Sequence, residues 1–243
     1  MHHISPAAAA SLLQWWSDAG VDCLVDEAPR DWLRPAPAPL PASVPATEAP
    51  QAPTAPEAEP LPDQLDLFQA WLAQSENQPF AAPGAPRVCP SGDPASGLML
   101  VTDMPALEDC ESGMLLSGEP GRLFDRMLAA MGRSRSSIYL SALSCFRSPG
   151  GGFNGDGARQ CATLARHHVG LAQPRALLLL GDTCAKALLG LSVIQARGRW
   201  HTVSTHAGDI PALATFHPSY LLDQPAAKRH AWADLQMLME KLA

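Results

Sequence analysis

The second half of the chain alternates between two hydrophobic patterns. Leu98–Val101, Ile138–Leu143, Ala176–Leu180 and Ala212–Thr215 are nearly continuous apolar runs, the pattern of strands covered on both faces. Between and after them, Glu119–Met131, Ala158–Leu171, Thr183–Leu189 and Ala226–Leu242 space their apolar residues at helical intervals. Gly132 stops the first of these helices, and the last turns Trp232, Leu235, Leu238 and Met239 inward. This alternation predicts an α/β fold: a three-layer α/β/α sandwich around a short four-stranded parallel sheet. Two of the strands stop abruptly, one at Gly181-Asp182-Thr183 and one at His217-Pro218-Ser219. In an open parallel sheet such stops form the carboxyl edge, where ligands bind. A histidine there reaches a substrate, and Pro218 stiffens the turn behind it.

The first half reads differently. Ala7–Ala19 is a short helix with Leu12, Leu13, Trp15 and Trp16, stopped at Gly20. Its paired tryptophans either pack within the chain or dock on a partner protein. Pro35–Pro62 is a Pro/Ala/Glu tract without core-forming side chains, read as an extended linker. Asp63–Gln74 is an amphipathic helix, with Asp63 as its cap and Leu65, Phe68, Trp71 and Leu72 on one face. Pro79–Pro94 is rich in loops, and Gly150-Gly151-Gly152 opens a flexible one. The domain reading is a helical segment over 1–34, a linker over 35–62 and a domain over 63–243.

Composition sharpens this picture. A hydrophobic content of 47% in 243 residues supports a sizeable core, yet no apolar run is long enough to span a membrane. The start lacks a basic region ahead of an apolar one, so no secretory signal is expected. Six cysteines without paired spacing indicate a reducing cytoplasm. The net charge of −7 is uneven. Residues 1–96 carry about −9 and residues 97–243 about +2. The acidity therefore sits outside the α/β region, and the near-neutral remainder is compatible with a protein that touches a few phosphates.

Several blocks, in order, resemble the uracil-DNA glycosylase superfamily, closest to its bacterial iron–sulfur branch. They are Met99–Ala106, Gly118–Leu128, Ile138–Ala142, Arg147-Ser148-Pro149-Gly150, Arg197-Gly198-Arg199-Trp200 and His217-Pro218-Ser219. The resemblance implies an enzyme of base-excision DNA repair that hydrolyses the N-glycosidic bond of a flipped-out uracil or other deaminated base. It implies DNA as the partner, with no membrane association, and a monomer is expected. His217 would stabilise charge on the leaving base. Asp103, one methylene shorter than the family's glutamate, would orient water or stabilise a cationic sugar. Thr102, Met104, Pro105, Leu116 and Ala142 would line the base site. Arg147, Ser219, Tyr220 and Leu221 would meet the DNA, Ser219 at a phosphate and Tyr220 or Leu221 as a wedge in the stack.

The chain departs from the family at several of these places. Thr102 and Ala106 replace glycines. Leu116 falls where the family stacks a phenylalanine on the base, and Ala142 where it reads uracil with an asparagine. Base–aromatic stacking is worth roughly 1–3 kcal/mol, and a missing hydrogen-bonding group costs discrimination. Two rivals to the uracil enzyme follow. One is an enzyme with another base preference. The other is a catalytically degenerate member that binds DNA or a protein. An open pocket reaching both Asp103 and His217 would favour catalysis. A pocket plugged by Met104, Met114 or Leu116 would oppose it. The four-cysteine set of the cluster-bearing relatives is incomplete. Cys161 matches one ligand, Phe146 with adjacent Cys145 stands at another, Cys89 is alone, and Cys110 and Cys184 read as small core or loop residues. No metal or cofactor is expected.

Overall fold

The computed structural model describes residues 61–153 and 155–242. The chain divides into two units, Met1–Glu57 and Ala58–Ala243, and only the second is described. The helix expected over Ala7–Ala19 lies outside the described residues, as does nearly all of the expected linker.

A helix α1 (Leu65–Gln74) precedes a short strand β1 (Ser91–Gly92) and the first long strand β2 (Leu98–Thr102). Helices α2 (Leu107–Ser112) and α3 (Gly118–Ala130) lead to β3 (Tyr139–Ala142). Helix α4 (Gly155–Ala172) leads to β4 (Ala176–Leu180), and α5 (Asp182–Leu189) and α6 (Val193–Ala196) follow. Strands β5 (Trp200–Thr205) and β6 (Gly208–Thr215) form a hairpin, followed by α7 (Pro218–Asp223) and α8 (Lys228–Leu242).

The sheet has six strands rather than four, in the order β1-β3-β2-β4-β6-β5. The expected strands make its parallel centre, β3-β2-β4-β6. The two additions are antiparallel edges. Both escape a search for apolar runs: β1 is two exposed residues, and β5 is mostly polar and partly exposed. Every residue of β2 and β4 is buried, because helices cover both faces. On one face Met99, Val101, Leu177 and Leu179 meet Val169 of α4 and Leu188 of α5. On the other, Leu98, Leu100 and Leu178 meet Phe124 of α3 and Leu238 of α8.

Two local expectations are corrected. Gln64, not Asp63, occupies the position before α1, and its side chain makes no capping bond. Trp232 points outward, 40% exposed, while Asp234 takes an inward place on α8. Asp234 is fully buried, which an apolar-face count does not anticipate. It accepts from Arg197 Nε at 3.2 Å and Nη2 at 3.0 Å, from Gly198 N at 3.1 Å and from Thr215 Oγ1 at 2.8 Å. Burial pushes its carboxyl pKa up, against these hydrogen bonds. Asp234 is thus a clamp joining α8 to the Arg197-Gly198 block and to the end of β6.

A smaller apolar cluster joins α1 to the loop after β3. Phe68 and Leu72 pack there with Cys145 and Phe146. A polar chain runs alongside: Gln69 Nε2 donates to Tyr139 Oη at 2.7 Å, and that hydroxyl lies 2.7 Å from His168 Nε2. His168 Nδ1 is 3.2 Å from Ser141 Oγ. Desolvation holds the His168 pKa down to about 3, so the ring is neutral and its partners satisfy it.

Candidate active site

The chain enters the parallel sheet at β2, moves to β3 on one side, and returns to β4 on the other. The carboxyl ends of β2 and β4 therefore flank the topological switch point, where a crevice opens. Thr102 ends β2 and Asp103 follows it, Gly181 follows β4, and His217 follows β6. Gly181 has φ 95°, and a Cβ there would lie 3.0 Å from His217 Cβ. Only glycine lets the β4 turn pass this close to the histidine.

His217 sits immediately before α7, and its ring caps that helix. Ser219 N donates to Nδ1 at 3.2 Å, and Ser219 Oγ lies 2.6 Å from the same atom. An Nδ1 that accepts a backbone N–H leaves the proton of a neutral imidazole on Nε2. Desolvation lowers the His217 pKa, against the pull of Asp103, so this neutral form prevails near pH 7. Nε2–H then faces Thr102 Oγ1 at 3.1 Å and Asp103 Oδ1 at 3.8 Å. Thr102 and His217 are 115 positions apart in the chain. The Asp103 side chain is 38% exposed. Desolvation raises its pKa, with His217 opposing.

These groups open into a cavity of about 350 Å³, within the size range of small-molecule sites. Thr102, Asp103, Met104, Leu116, Arg147 and His217 all reach it, and so does Ser219. Met104 and Leu116 form walls without closing it, and Met114 is exposed and stands away. The cavity is open to Asp103 and His217 together.

Three predicted residues are placed elsewhere. Ala142 lies at the end of β3 and lines a separate interior space of about 20 Å³ with Cys145 and Cys161. Pro105 is buried and contributes its carbonyl, which accepts from Arg147 Nη1 at 3.1 Å. Leu221 is 2% exposed and packs in the core, so it cannot wedge into DNA without leaving that core. Tyr220 beside it is 44% exposed and stacks on Phe216 with ring centroids 4.9 Å apart.

Other residues of the site were not anticipated. Asp109 accepts from Ala106 N at 3.0 Å and Ser117 N at 2.6 Å, tying the start of α2 to the start of α3. An acid three positions after the residue before a helix is a readable capping signal. Leu116 is held at φ 54°, a costly conformation for a branched side chain. Arg135 secures it by donating to the carbonyls of Leu115 and Leu116, both at 2.7 Å. A Cβ on Gly121 would lie 1.9 Å from the Leu116 carbonyl oxygen, so α3 must present a glycine there. Phe153 and Thr183 also line the wall; Thr183 lies at the strand stop the sequence marks, and nothing in its sequence context marks Phe153.

The thiols form a second group. Cys145 is buried and close enough to Cys89 and Cys161 for each to shift its titration. A hydrogen bond with Cys145 lowers the Cys89 pKa to about 7. Burial raises Cys161 to about 11. Three thiols meet here where a four-iron cluster takes four, and the space beside Cys145 and Cys161 suffices for about one water. Phe68 and Leu72 also line it. These residues do not fit a cluster. Among the described residues no group of three His, Cys, Asp or Glu side chains suits a metal.

Residues 89–236 match the family model "Uracil DNA glycosylase superfamily". The chain belongs to that superfamily. Among curated relatives, a "Type-4 uracil-DNA glycosylase" of Pyrobaculum aerophilum is 25% identical over 153 residues, covering 60% of this chain and 78% of the relative. A protein of the same name from Archaeoglobus fulgidus is 20% identical over 159 residues, covering 61% and 78%. The matched region runs from the thiol group to α8 and includes both walls of the crevice. No helix among the described residues is long and apolar enough to cross a membrane.

Proposed function

We propose that this protein is a uracil-DNA glycosylase-like enzyme of base-excision repair, acting on a deaminated base flipped into the Asp103–His217 cavity. The observation that carries the reading is His217 Nε2–H directed into an open cavity beside a carboxylate. As the N-glycosidic bond breaks, its electron pair leaves with the base. A neutral imidazole N–H donates to the base oxygen where that charge gathers, at no cost in reorganisation. Asp103, with its pKa raised, is suited to accept a proton from the water that attacks C1′ of the sugar. The atoms balance: water supplies the hydroxyl at C1′ and its proton ends on the released base by way of Asp103. The names of the two archaeal relatives support the same reaction class.

The chemistry described needs no cluster, and the apolar packing around Cys145 and Cys161 supports a cluster-free protein. Arg147 and Ser219 line the cavity and are the proposed phosphate contacts, with Tyr220 as the wedge. The working unit is residues 63–243 as a monomer in the cytoplasm, a setting supported by five free thiols among the described residues. The segment over 1–34 is left for a protein partner. Leu116 in the wall and Ala142 outside it favour a base other than uracil, since neither a stacking ring nor a reading amide stands at those two positions.

The test is excision on single-stranded and duplex oligonucleotides carrying uracil, hypoxanthine or xanthine, with His217→Ala in parallel. Abasic product that the variant fails to form names the base. No product at high enzyme, with DNA binding intact, replaces this reading with that of a DNA-binding member without catalysis.

A further inference from the structure

A second cavity, of about 410 Å³, adjoins the first. Phe153 and Thr183 line both, so the two spaces meet across a shared wall. The chemistry changes from one to the other. The first holds the acid and the histidine. The second has a bed of small residues, Ala158, Ala162 and Ala187, with Arg159 and Lys186 alongside. Asp182 is the acid on its wall. It is occupied by Lys186 Nζ at 2.6 Å and by Val193 N at 2.9 Å, and the Lys186 contact lowers its pKa. Arg159 pairs with Asp156 in the same exposed manner. Exposed surface pairs of this kind contribute little, so both cations exchange readily onto a phosphate.

An aromatic ring beside a flat bed of alanines, with two cations alongside, matches a nucleotide: a π-face for the base and positive charge for its phosphate. Phe153 is steadied from behind by Phe80, their centroids 6.1 Å apart. Gly157 allows that approach, because a Cβ there would meet the Phe80 ring at 2.7 Å. We propose that this cavity is a subsite for the nucleotide adjoining the flipped one on the same strand, its base stacked on Phe153 and its phosphate held by Arg159 and Lys186. The subsite rests on the reading of the Asp103–His217 cavity as the base pocket. It makes single-stranded or locally opened DNA the substrate class, since the adjoining base must also leave the stack. It also supplies an aromatic contact one nucleotide away from the wall where Leu116 stands.

The test uses the full chain and fluorescein-labelled single strands with a central deoxyuridine, deoxyinosine or deoxyxanthosine. The nucleotide on one side or the other is left intact or replaced by a tetrahydrofuran spacer that lacks a base. Anisotropy gives the dissociation constants, and excision is followed in parallel. The expected result is that removing the adjoining base on one side weakens wild-type binding about tenfold and leaves Phe153→Leu unchanged. Lys186→Gln, at an exposed position that does not threaten folding, should lower the salt dependence of binding by about one phosphate contact. Equal wild-type binding to intact and spacer strands on both sides overturns the subsite, as does the same loss in Phe153→Leu. Excision without the spacer effect removes the subsite and keeps the glycosylase reading. The spacer effect without excision of any of the three bases keeps the subsite and removes the reading.

Discussion

The two ends of the parallel sheet centre have been built to different rules. At the β6 end Ser219 N donates to His217 Nδ1, Gly181 lets the β4 turn approach, and Asp234, held by Arg197, accepts from Thr215 of the strand. At the β3 end, Ala142, Cys145 and Cys161 face Phe68 and Leu72 around a space of about 20 Å³. The β6 end turns its hydrogen bonds toward an open cavity, whereas the β3 end buries its polar chain through Tyr139, His168 and Ser141 beside apolar packing. The difference teaches that a cavity held open by a few fixed hydrogen bonds can stand beside a region closed by packing. An electrostatic site depends on a few fixed dipoles, whereas a packed region tolerates any shape-filling set.

The contrast can be broken most forcefully at Phe68. Phe68→Ala should cost about 3–5 kcal/mol of stability, seen as a lower denaturation midpoint, while the excision rate per folded molecule stays near wild type. A large loss of rate at full folding would mean that the β3 end takes part in the chemistry. His217→Ala is the reverse case. It should lower excision roughly 10²–10³-fold with little change in melting temperature. Excision that survives would place the reacting group elsewhere.

Acid probes the packed end through His168. The His168 pKa is held down to about 3 in the fold against about 6.5 in an unfolded chain. Its share of stability is therefore complete above pH 6.5 and is lost progressively as pH falls toward 3. At pH 5 the loss is about 2 kcal/mol. Urea titrations at pH 7 and pH 5 should show that difference, and His168→Gln should flatten it. An equal slope in both proteins would assign the acid sensitivity to other groups. The smallest effect expected is that of Ser219→Ala. Loss of its hydroxyl leaves the backbone N–H on Nδ1, so excision should fall about tenfold and the pH–rate profile should shift. A loss as large as that of His217→Ala would make Ser219 a reacting group rather than a positioning one.

Much of this was legible in the sequence, for physical reasons that differ by region. The parallel centre showed because strands buried on both faces are continuously apolar, as at Leu177–Leu180. His217 was named because it follows such a run at the carboxyl edge, and Asp103 only through the resemblance of Met99–Ala106 to a family motif. The edge strands did not show, since β5 is polar and its pairing with β6 is set by the partner rather than by its own pattern. Ala142 and Leu221 were misplaced because an ordered motif gives sequence position but not which way a side chain turns at a strand end or on a helix. Asp234 was missed for the same reason as Trp232: both sit near the apolar stripe of α8, and only the distant Arg197 decides which one goes inside. Phe153 belongs to a loop, where no periodicity links a residue to the cavity it lines.

The clamp at Asp234 also bears on the order in which the molecule is made. Thr102 and Asp103 leave the ribosome more than a hundred residues before the carboxylate that completes the end of β6. Until α8 arrives, Thr215 lacks its 2.8 Å partner and Arg197 has no buried anion to grip. A nascent chain thus carries one wall of the crevice long before the end of β6 has its buried partner, and that end is completed only as translation nears the final helix.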